Sequence, residues 1–149
     1  MRRIVYTLRF VGYVTPLDAS KALCRVTTTA PSCALKTLIG PEGVRGIVEL
    51  FPGEVARCTA TLRLSGDSAF AESGTIAFGE SGHCLHFVSR GEGLLVPSPQ
   101  PERCLGSVTW QVRGGEGRFD NARGLITSNF LMAADGAIED VQVGTIFLQ

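Results

Sequence analysis

The stretch Arg113-Gly-Gly-Glu-Gly-Arg-Phe-Asp-Asn-Ala-Arg-Gly124 separates two runs of strand-forming residues, Leu105–Val112 and Leu125–Met132. Four of its twelve residues are glycine, which reaches backbone angles that other residues avoid and lets another backbone pass close by. Four glycines around one apolar aromatic residue, Phe119, predict a tight corner packed against a neighbouring strand. We call residues 113–124 the glycine corner.

A phosphate-binding loop is the alternative interpretation of such a glycine-rich segment. It needs a helix directly after the glycines, because the amides at a helix N-terminus hold the phosphate. Here the glycines are followed by Leu-Ile-Thr-Ser-Asn-Phe-Leu (residues 125–131), a run typical of strands, and no Gly-Lys-Ser/Thr occurs. Nucleotide binding is therefore not expected.

The glycine corner resembles the Gly-Gly-Thr-Gly-x-Phe-x-x-Ala-x-Gly signature shared by dirigent proteins and allene oxide cyclases. Residues 114–124 match it, with Glu116 in place of the usual Thr. In those families the signature lies late in an eight-stranded barrel and two closing strands follow it. About 25 residues follow Gly124 here, with Ala133-Ala-Asp-Gly-Ala137 typical of a hairpin turn between two strands. The resemblance implies a barrel of the allene oxide cyclase type, which is calycin-like.

The composition favours one β-rich domain over residues 1–149. The chain is long enough to bury a substantial core, and its 18 glycines and two lysines favour strands over helices. Fourteen basic residues balance fourteen acidic ones, so no net field attracts nucleic acid or an anionic membrane. No run of about eighteen apolar residues is present either. We therefore expect neither nucleic acid nor membrane as a partner.

The cysteines and the N-terminus both indicate a cytoplasmic protein. Five cysteines are an odd number, and no close pair has metal-ligand spacing. Because free cysteines inside strands behave as small apolar residues, we interpret them as reduced thiols. Arg9 interrupts the apolar run of Met1–Phe10 and no clear cleavage site follows it, so no signal peptide is predicted.

Alternation of apolar and polar residues predicts eight or nine antiparallel strands and little helix. These strands cover residues 4–14, 22–29, 44–51, 55–64, 69–78, 83–90, 105–112, 125–132 and 138–148. Residues 32–39 are predicted as either one helical turn or coil. Residues 91–103 are predicted as a long loop, either a lid over a binding site or a plain surface excursion. The pattern favours a single closed β-barrel, with a jelly-roll sandwich as the alternative.

The strand at 55–64 has the clearest alternation. Its inward face begins with the small residues Ala56, Cys58 and Ala60. Small inward side chains leave a barrel lumen open, whereas in a sandwich the opposite sheet would fill that space. We expect an open lumen with an apolar lining, and the candidate substrate-binding residues are Phe70, Phe78, Phe87, Trp110, Leu62 and Cys58.

Polar side chains on apolar strand faces are the candidate catalytic groups. Glu72 falls on the apolar face of its strand, where burial of an unpaired carboxylate is costly. Facing a lumen, it would favour its protonated form and suit proton transfer. Tyr6 offers a phenol to the same space and His83 stands at its rim. The alternative for Glu72 is a strand-end residue that reaches solvent and pairs with Arg57 or Arg63.

Metal and cofactor chemistry have little support in the sequence. His83 and His86 are three residues apart, so on a strand they point to opposite faces and do not share one ion. No Gly-x-Ser-x-Gly nucleophile motif occurs. We therefore predict no metal site and no cofactor.

The family resemblance also implies a function. Members of these families hold an apolar or reactive small molecule inside the barrel, and bacterial relatives are associated with ring closure in polyketide assembly, a part of secondary metabolism. This implies a cyclase or isomerase for a hydrophobic polyketide- or lipid-like substrate, with a shaped dry cavity imposing the reactive geometry. A carrier of a hydrophobic small molecule and a filled barrel with a structural or interaction role are the alternatives. These barrels are commonly trimers, so a homo-oligomer, trimer or dimer, is also implied.

Overall fold

Eleven strands and one short 3-10 turn make up the regular structure of the computed structural model, which describes residues 1–149. The 3-10 turn, Gly117–Phe119, lies inside the glycine corner. In chain order the strands are β1 (Arg2–Pro16), β2 (Leu23–Ala30), β3 (Cys33–Gly40), β4 (Gly43–Leu50), β5 (Ala56–Ser65), β6 (Ala69–Phe78), β7 (Cys84–Ser89), β8 (Gly93–Pro97), β9 (Arg103–Glu116), β10 (Arg123–Ala133) and β11 (Ala137–Leu148).

Eight of these strands close an antiparallel barrel in the order β1-β2-β5-β6-β7-β9-β10-β11, with β11 paired back to β1. The short strand β8 pairs with both β6 and β9. The prediction of a single all-β, eight-stranded antiparallel barrel with little helix is confirmed, and the sandwich alternative is wrong.

Alternation along each strand determines which side chains fill the barrel. Every second residue of β11 from Ile138 to Leu148 is buried, and β5 alternates in the same way from Ala56 to Leu62. The inward residues of the eight strands form one apolar core, whose largest fully buried members are Trp110, Phe10, Phe70, Ile76, Leu85, Ile126 and Ile146.

The glycine corner closes one end of the barrel. A Cβ at Gly124 would overlap the Thr145 carbonyl oxygen on β11, and one at Gly115 would overlap the Cys84 carbonyl oxygen on β7. Only glycine permits backbones to approach so closely. Phe119 is buried beneath the corner, with its ring centroid 5.2 Å from that of Phe78. We call this end of the barrel the near mouth, and the end at the β10–β11 turn the far mouth.

Two segments that were not predicted as strands form strands. Residues 32–39 were predicted as one helical turn or coil, but β3 (Cys33–Gly40) covers most of them and pairs with β4 across a two-residue turn at Pro41-Glu42. Residues 93–97, inside the predicted loop 91–103, form β8. In both cases pairing with a distant or neighbouring strand overrides a weak local pattern.

The β3–β4 hairpin lies outside the barrel wall. It forms its own two-stranded sheet, is inserted between β2 and β5, and leaves the barrel at the near mouth. β3 is the hairpin strand that contacts β1. Most of its residues are exposed, in contrast with the buried rows of the barrel strands.

The chain contains no disulfide bond and no membrane-spanning helix. All five cysteines are free, with Cys24 and Cys58 buried and the other three half-buried. No helix of the fold has the length and apolar character needed to span a bilayer.

Candidate functional site

The barrel interior contains a cluster of polar side chains centred on two carboxyl groups, Glu72 and Asp140. Glu72 is only 6% exposed and lies on the inward face of β6, as the alternation predicted. The alternative of a solvent-exposed Glu72 paired with Arg57 or Arg63 is wrong, because Arg57 pairs with Glu80 and Arg63 makes no ion pair. No cationic group compensates the Glu72 carboxyl.

The backbone of Glu72 is fixed by Ser89 on β7. The Ser89 hydroxyl accepts a hydrogen bond from the Glu72 amide (2.6 Å) and donates one to the Glu72 carbonyl oxygen (2.9 Å). These bonds join β6 to β7 one residue beyond the last register pair of the two strands, Ser73 and Val88. They hold the strand but leave the Glu72 carboxyl without a hydrogen-bond partner in the chain.

Asp140 on β11 has a different environment. The Ser128 hydroxyl donates to its Oδ1 (2.7 Å), and the Gln142 amide donates to its Oδ2 (3.0 Å). All three residues are buried and face inward from neighbouring strands, since Ser128 and Gln142 are register partners. The Asp140 carboxyl is therefore stabilised by hydrogen bonds from protein groups, whereas the Glu72 carboxyl accepts none.

Because only Asp140 accepts side-chain hydrogen bonds, its pKa lies below that of Glu72. Burial, and then the charge of Asp140, raises the pKa of Glu72 to about 8. Burial also raises the pKa of Asp140, but hydrogen bonds from Gln142 and Ser128 limit the rise to about 6. Burial therefore favours the protonated form of Glu72 more strongly than that of Asp140, which its hydrogen bonds keep the more acidic of the two. Two groups whose environments push their pKa values apart are the arrangement of an acid and a base.

Tyr6 and Cys58 complete the cluster as neutral groups. Burial is the main cause that raises the pKa of each, and the charge of Asp140 raises both further. Hydrogen bonds of the Cys58 thiol with Gln142 and Thr28 lower its pKa, but they offset only part of the rise that burial causes. The Tyr6 hydroxyl is buried and has no hydrogen-bond partner, which is costly for a polar group and leaves a free donor.

A cavity of about 660 Å³ opens at the near mouth. Tyr6 and Phe78 form its floor, with their ring centroids 5.6 Å apart in an edge-to-face contact. The base of the β3–β4 hairpin forms one side. The lining is almost entirely apolar and consists of Ile4, Val5, Tyr6, Thr7, Leu8, Ser32, Cys33, Ala34, Leu35, Phe51, Phe78, Phe119 and Ile146. Tyr6 therefore belongs to both the cavity and the polar cluster.

The predicted substrate-binding residues divide into two groups. Phe78 lines the near-mouth cavity. The other five are buried in the interior and line none of the five main cavities: Phe70, Phe87, Trp110, Leu62 and Cys58. The rings of Phe87 and Trp110 stack at 3.9 Å, and those of Phe70 and Phe130 lie 5.7 Å apart. The middle of the barrel is thus packed with aromatic side chains, which differs from the open lumen that the small residues of β5 predicted.

His83 stands at the rim but is separate from the carboxyl pair. Its Nδ1 accepts a hydrogen bond from the Arg118 amide (3.2 Å), so its visible role is to hold the glycine corner. It precedes β7, whereas Glu72 bonds to Ser89 at the other end of that strand. At strand geometry six residues span roughly 20 Å. The structure therefore brings Glu72 and Tyr6 into the same cluster and leaves His83 outside it.

Sequence reasoning missed Asp140, Gln142 and Ser128. The signal was present, because Asp140 and Gln142 interrupt the apolar row of β11 and Ser128 lies between Ile126 and Phe130 on β10. The rule that selected Glu72, a polar residue on an apolar face, selects these residues too.

No three His, Cys, Asp or Glu side chains come together in a way that could hold a metal ion. Comparisons with protein-family models, with curated proteins and with solved structures find no match to this chain. The fold and the geometry of the site are therefore the features that bear on function.

Proposed function

We propose that the protein is an isomerase or cyclase that binds a hydrophobic small molecule at the near mouth and transfers a proton to or from it. The observation that carries this proposal is the Glu72–Asp140 pair. Two carboxyls without a cationic partner in an apolar barrel lower stability, and strongly perturbed acids of this kind concentrate at functional sites.

The three residues have distinct roles in this proposal. Asp140, ionised at neutral pH, is the proton acceptor of the pair, and Glu72, protonated, is the donor. Tyr6 connects them to the substrate, because its ring lines the cavity and the carboxylate of Asp140 acts on its buried hydroxyl. Its raised pKa keeps the phenol protonated. In the proposed step, a movement of the Tyr6 side chain brings its buried hydroxyl to a substrate oxygen, the phenol gives its proton to that oxygen, and Glu72 returns a proton to the phenolate.

The shape of the cavity supports a neutral, mainly apolar substrate. Its lining has one aromatic floor and aliphatic walls, and no charged side chain. A flexible polyketide- or lipid-like chain held there would lose conformational freedom before reaction, which is how a cavity promotes ring closure without a strong catalyst. The resemblance to allene oxide cyclases is consistent with this reaction class.

The experiment uses proton exchange, because it does not require the natural substrate. Apolar enones and β-keto esters are incubated with the protein in D2O, and exchange of the α-protons is followed by NMR. We expect the wild type to accelerate exchange. Glu72→Gln and Asp140→Asn should each lower the rate by about a hundredfold or more, while binding of the same probe is retained.

Glu80→Gln is the matched control, since Glu80 is an exposed carboxyl on the outer surface that pairs with Arg57. It should exchange at the wild-type rate. Equal rates in the wild type and both cluster variants would refute acid–base catalysis by the pair.

One observation favours a second function, that of a non-catalytic carrier. The carboxyls lie behind Tyr6 and do not line the cavity. A carrier would bind the apolar probes but would not accelerate exchange with any of them. Failure of every probe to bind would leave the filled barrel with a structural or interaction role.

A further inference from the structure

The β3–β4 hairpin has an unpaired edge along β4. β4 pairs with β3 alone, so one side of its backbone has no partner strand. A two-stranded hairpin is marginally stable in water by itself, and an open edge is a template for another strand. The hairpin also exposes large apolar side chains, with Ile39 87%, Val44 72% and Leu50 66% exposed.

The direction of the free backbone groups follows from the turn. The Gly40–Gly43 pair closes a two-residue turn, and such a closing pair is hydrogen-bonded. Bonded and non-bonded pairs alternate along an antiparallel ladder. The amide and carbonyl groups that point to the open edge are therefore those of Val44, Gly46, Val48 and Leu50.

We propose that two copies of this chain pair through their β4 edges, antiparallel, about a two-fold axis at Ile47. In this register Val44 lies opposite Leu50 of the partner subunit, and Gly46 lies opposite Val48 of the partner subunit. These are the residues with free backbone groups, so the two edges satisfy each other. The result is a four-stranded sheet, β3-β4 followed by β4 and β3 of the second copy.

The charges of β4 select this register. The axis at Ile47 places Arg45 opposite Glu49 of the partner subunit, and symmetry forms the same pair twice. Moving the axis to Gly46 or Val48 would set a charged residue opposite Ile47 instead. Arg45 makes no ion pair within the chain, and Glu49 pairs only with Lys36. Opposite charges directly across two strands are favourable, and like charges are unfavourable.

An isologous pairing occupies the β4 edge of both copies, so this contact closes at two. After β4 is paired, the remaining hairpin edge belongs to β3, the strand that contacts β1 of its own barrel. An isologous contact of this kind is self-complementary and closed. The second copy therefore fits the edge better than an open fibre or a different extended peptide.

The test measures the mass of the full-length chain by sedimentation velocity over a wide concentration range. We expect a monomer–dimer equilibrium that reaches twice the 15.9 kDa of one chain. Arg45→Glu and Glu49→Arg each create like-charged pairs across the axis and should weaken the dimer by about tenfold or more. An equimolar mixture of the two variants should dimerise again, because each Glu then faces an Arg.

Two further variants separate this contact from general effects. Val48→Pro removes an edge amide that β3 does not use, so the hairpin should persist while the dimer is lost. Arg63→Glu changes an exposed arginine on the outer face of the barrel and should leave the dimer constant unchanged. Circular dichroism verifies that every variant keeps its strand content.

Three results would overturn the proposal: a wild type that remains monomeric at the highest concentration, a trimer, or single charge variants that dimerise as the wild type does. Failure of the mixed variants to associate, with both folded, would overturn the Ile47 register. None of these results affects the outcome of the proton-exchange assay, so the dimer and the proposed reaction are tested independently.

Discussion

The barrel interior and the β3–β4 hairpin depart from ordinary burial in opposite directions. The interior buries two carboxyls, Glu72 and Asp140, without a cation, and the hairpin exposes Ile39, Val44 and Leu50 to water. Neither arrangement favours the isolated folded chain, since buried polar groups and exposed apolar surface are both unfavourable. The difference fits the two proposed roles, which are reaction chemistry inside the barrel and association along the hairpin.

The two regions also differ in how much freedom the backbone has. In the barrel, Gly12, Gly74, Gly115 and Gly124 lie directly against the backbone of a neighbouring strand, whereas nothing lies within 4 Å of a Cβ built at Gly46 in the hairpin. We therefore expect added side chains to destabilise the barrel at these positions and to be tolerated at Gly46 in the hairpin. Paired substitutions, one in each region, test this contrast.

The largest effect is expected for Gly124→Val. The new side chain would overlap the Thr145 carbonyl oxygen on β11, and backbone cannot move aside without opening the barrel. We expect a loss of about 5 kcal/mol or more in the free energy of unfolding, or no folded protein at all. Gly46→Val is the matched hairpin variant and should keep wild-type stability in urea unfolding. Equal stability of the two variants would show that the glycine corner is an ordinary loop.

The next effect concerns the charge state of Glu72. Its folded-state pKa of about 8 lies above the ordinary value of 4.5, so the folded protein holds this proton more tightly than the unfolded chain does. The contribution of this Glu72 proton to the free energy of unfolding is fully present below pH 4.5 and is lost as the pH rises through about 8. Glu72→Gln is permanently neutral, so it should match the wild type at low pH. At pH 9 it should be more stable by about 3–5 kcal/mol, at roughly 1.4 kcal/mol per pKa unit.

Thermal unfolding of both proteins from pH 5 to pH 9 measures this difference. Glu80→Gln, which removes an exposed carboxyl, should change stability by no more than about 1 kcal/mol at any pH. A constant difference between wild type and Glu72→Gln across the range would mean that Glu72 is not a buried acid. Greater stability at pH 9 together with loss of proton exchange would identify Glu72 as a residue that costs stability for function.

A smaller effect is expected for added volume. Leu62 is buried on β5 opposite Glu72, in a part of the barrel that aromatic side chains fill. Leu62→Trp should therefore lose about 1–3 kcal/mol through overpacking. Leu38→Trp, at a half-exposed position of the hairpin, should lose almost nothing in the same urea titration. A stable Leu62→Trp would indicate open space beside the carboxyl pair.

The same contrast explains what could be predicted from the sequence. The barrel strands were predicted because each has one buried row, as in Ala56–Leu64, and because the glycine corner requires close strand approach. β3 was missed because a hairpin outside the barrel has no buried row: Ala34, Leu38 and Ile39 fall on both faces. Its strand character depends on pairing with β4, which local pattern does not reveal.

The site was predicted in part for a related reason. Facing direction is local, so Glu72 and Tyr6 could be assigned to the interior. The position of a residue along the barrel axis cannot be read from its sequence neighbours. Whether two residues lie at the same level depends on the register of every strand between them. This is why His83 was grouped with residues roughly 20 Å away along the strands, and why the meeting of Glu72 with Asp140 was not foreseen. Packing of the lumen likewise depends on the facing strands and not on the small residues of β5 alone.

The smallest effect is spectroscopic and locates the ligand. Trp110, the single tryptophan, is stacked on Phe87 and lines none of the main cavities, so it is a poor reporter of binding at the near mouth. Phe51, at the end of the hairpin, is 47% exposed and lines the near-mouth cavity. In Phe51→Trp, an apolar polyene such as retinol should shift and quench the emission of the new tryptophan. In the wild type the same probe should leave Trp110 emission almost unchanged. A strong change at Trp110 would instead place the ligand in the barrel interior, beside the carboxyls, and would mean that the Tyr6–Phe78 floor opens on binding. Under the proposed function, the first outcome would mean that the carboxyl pair acts on the substrate through Tyr6, and the second that it acts by direct contact.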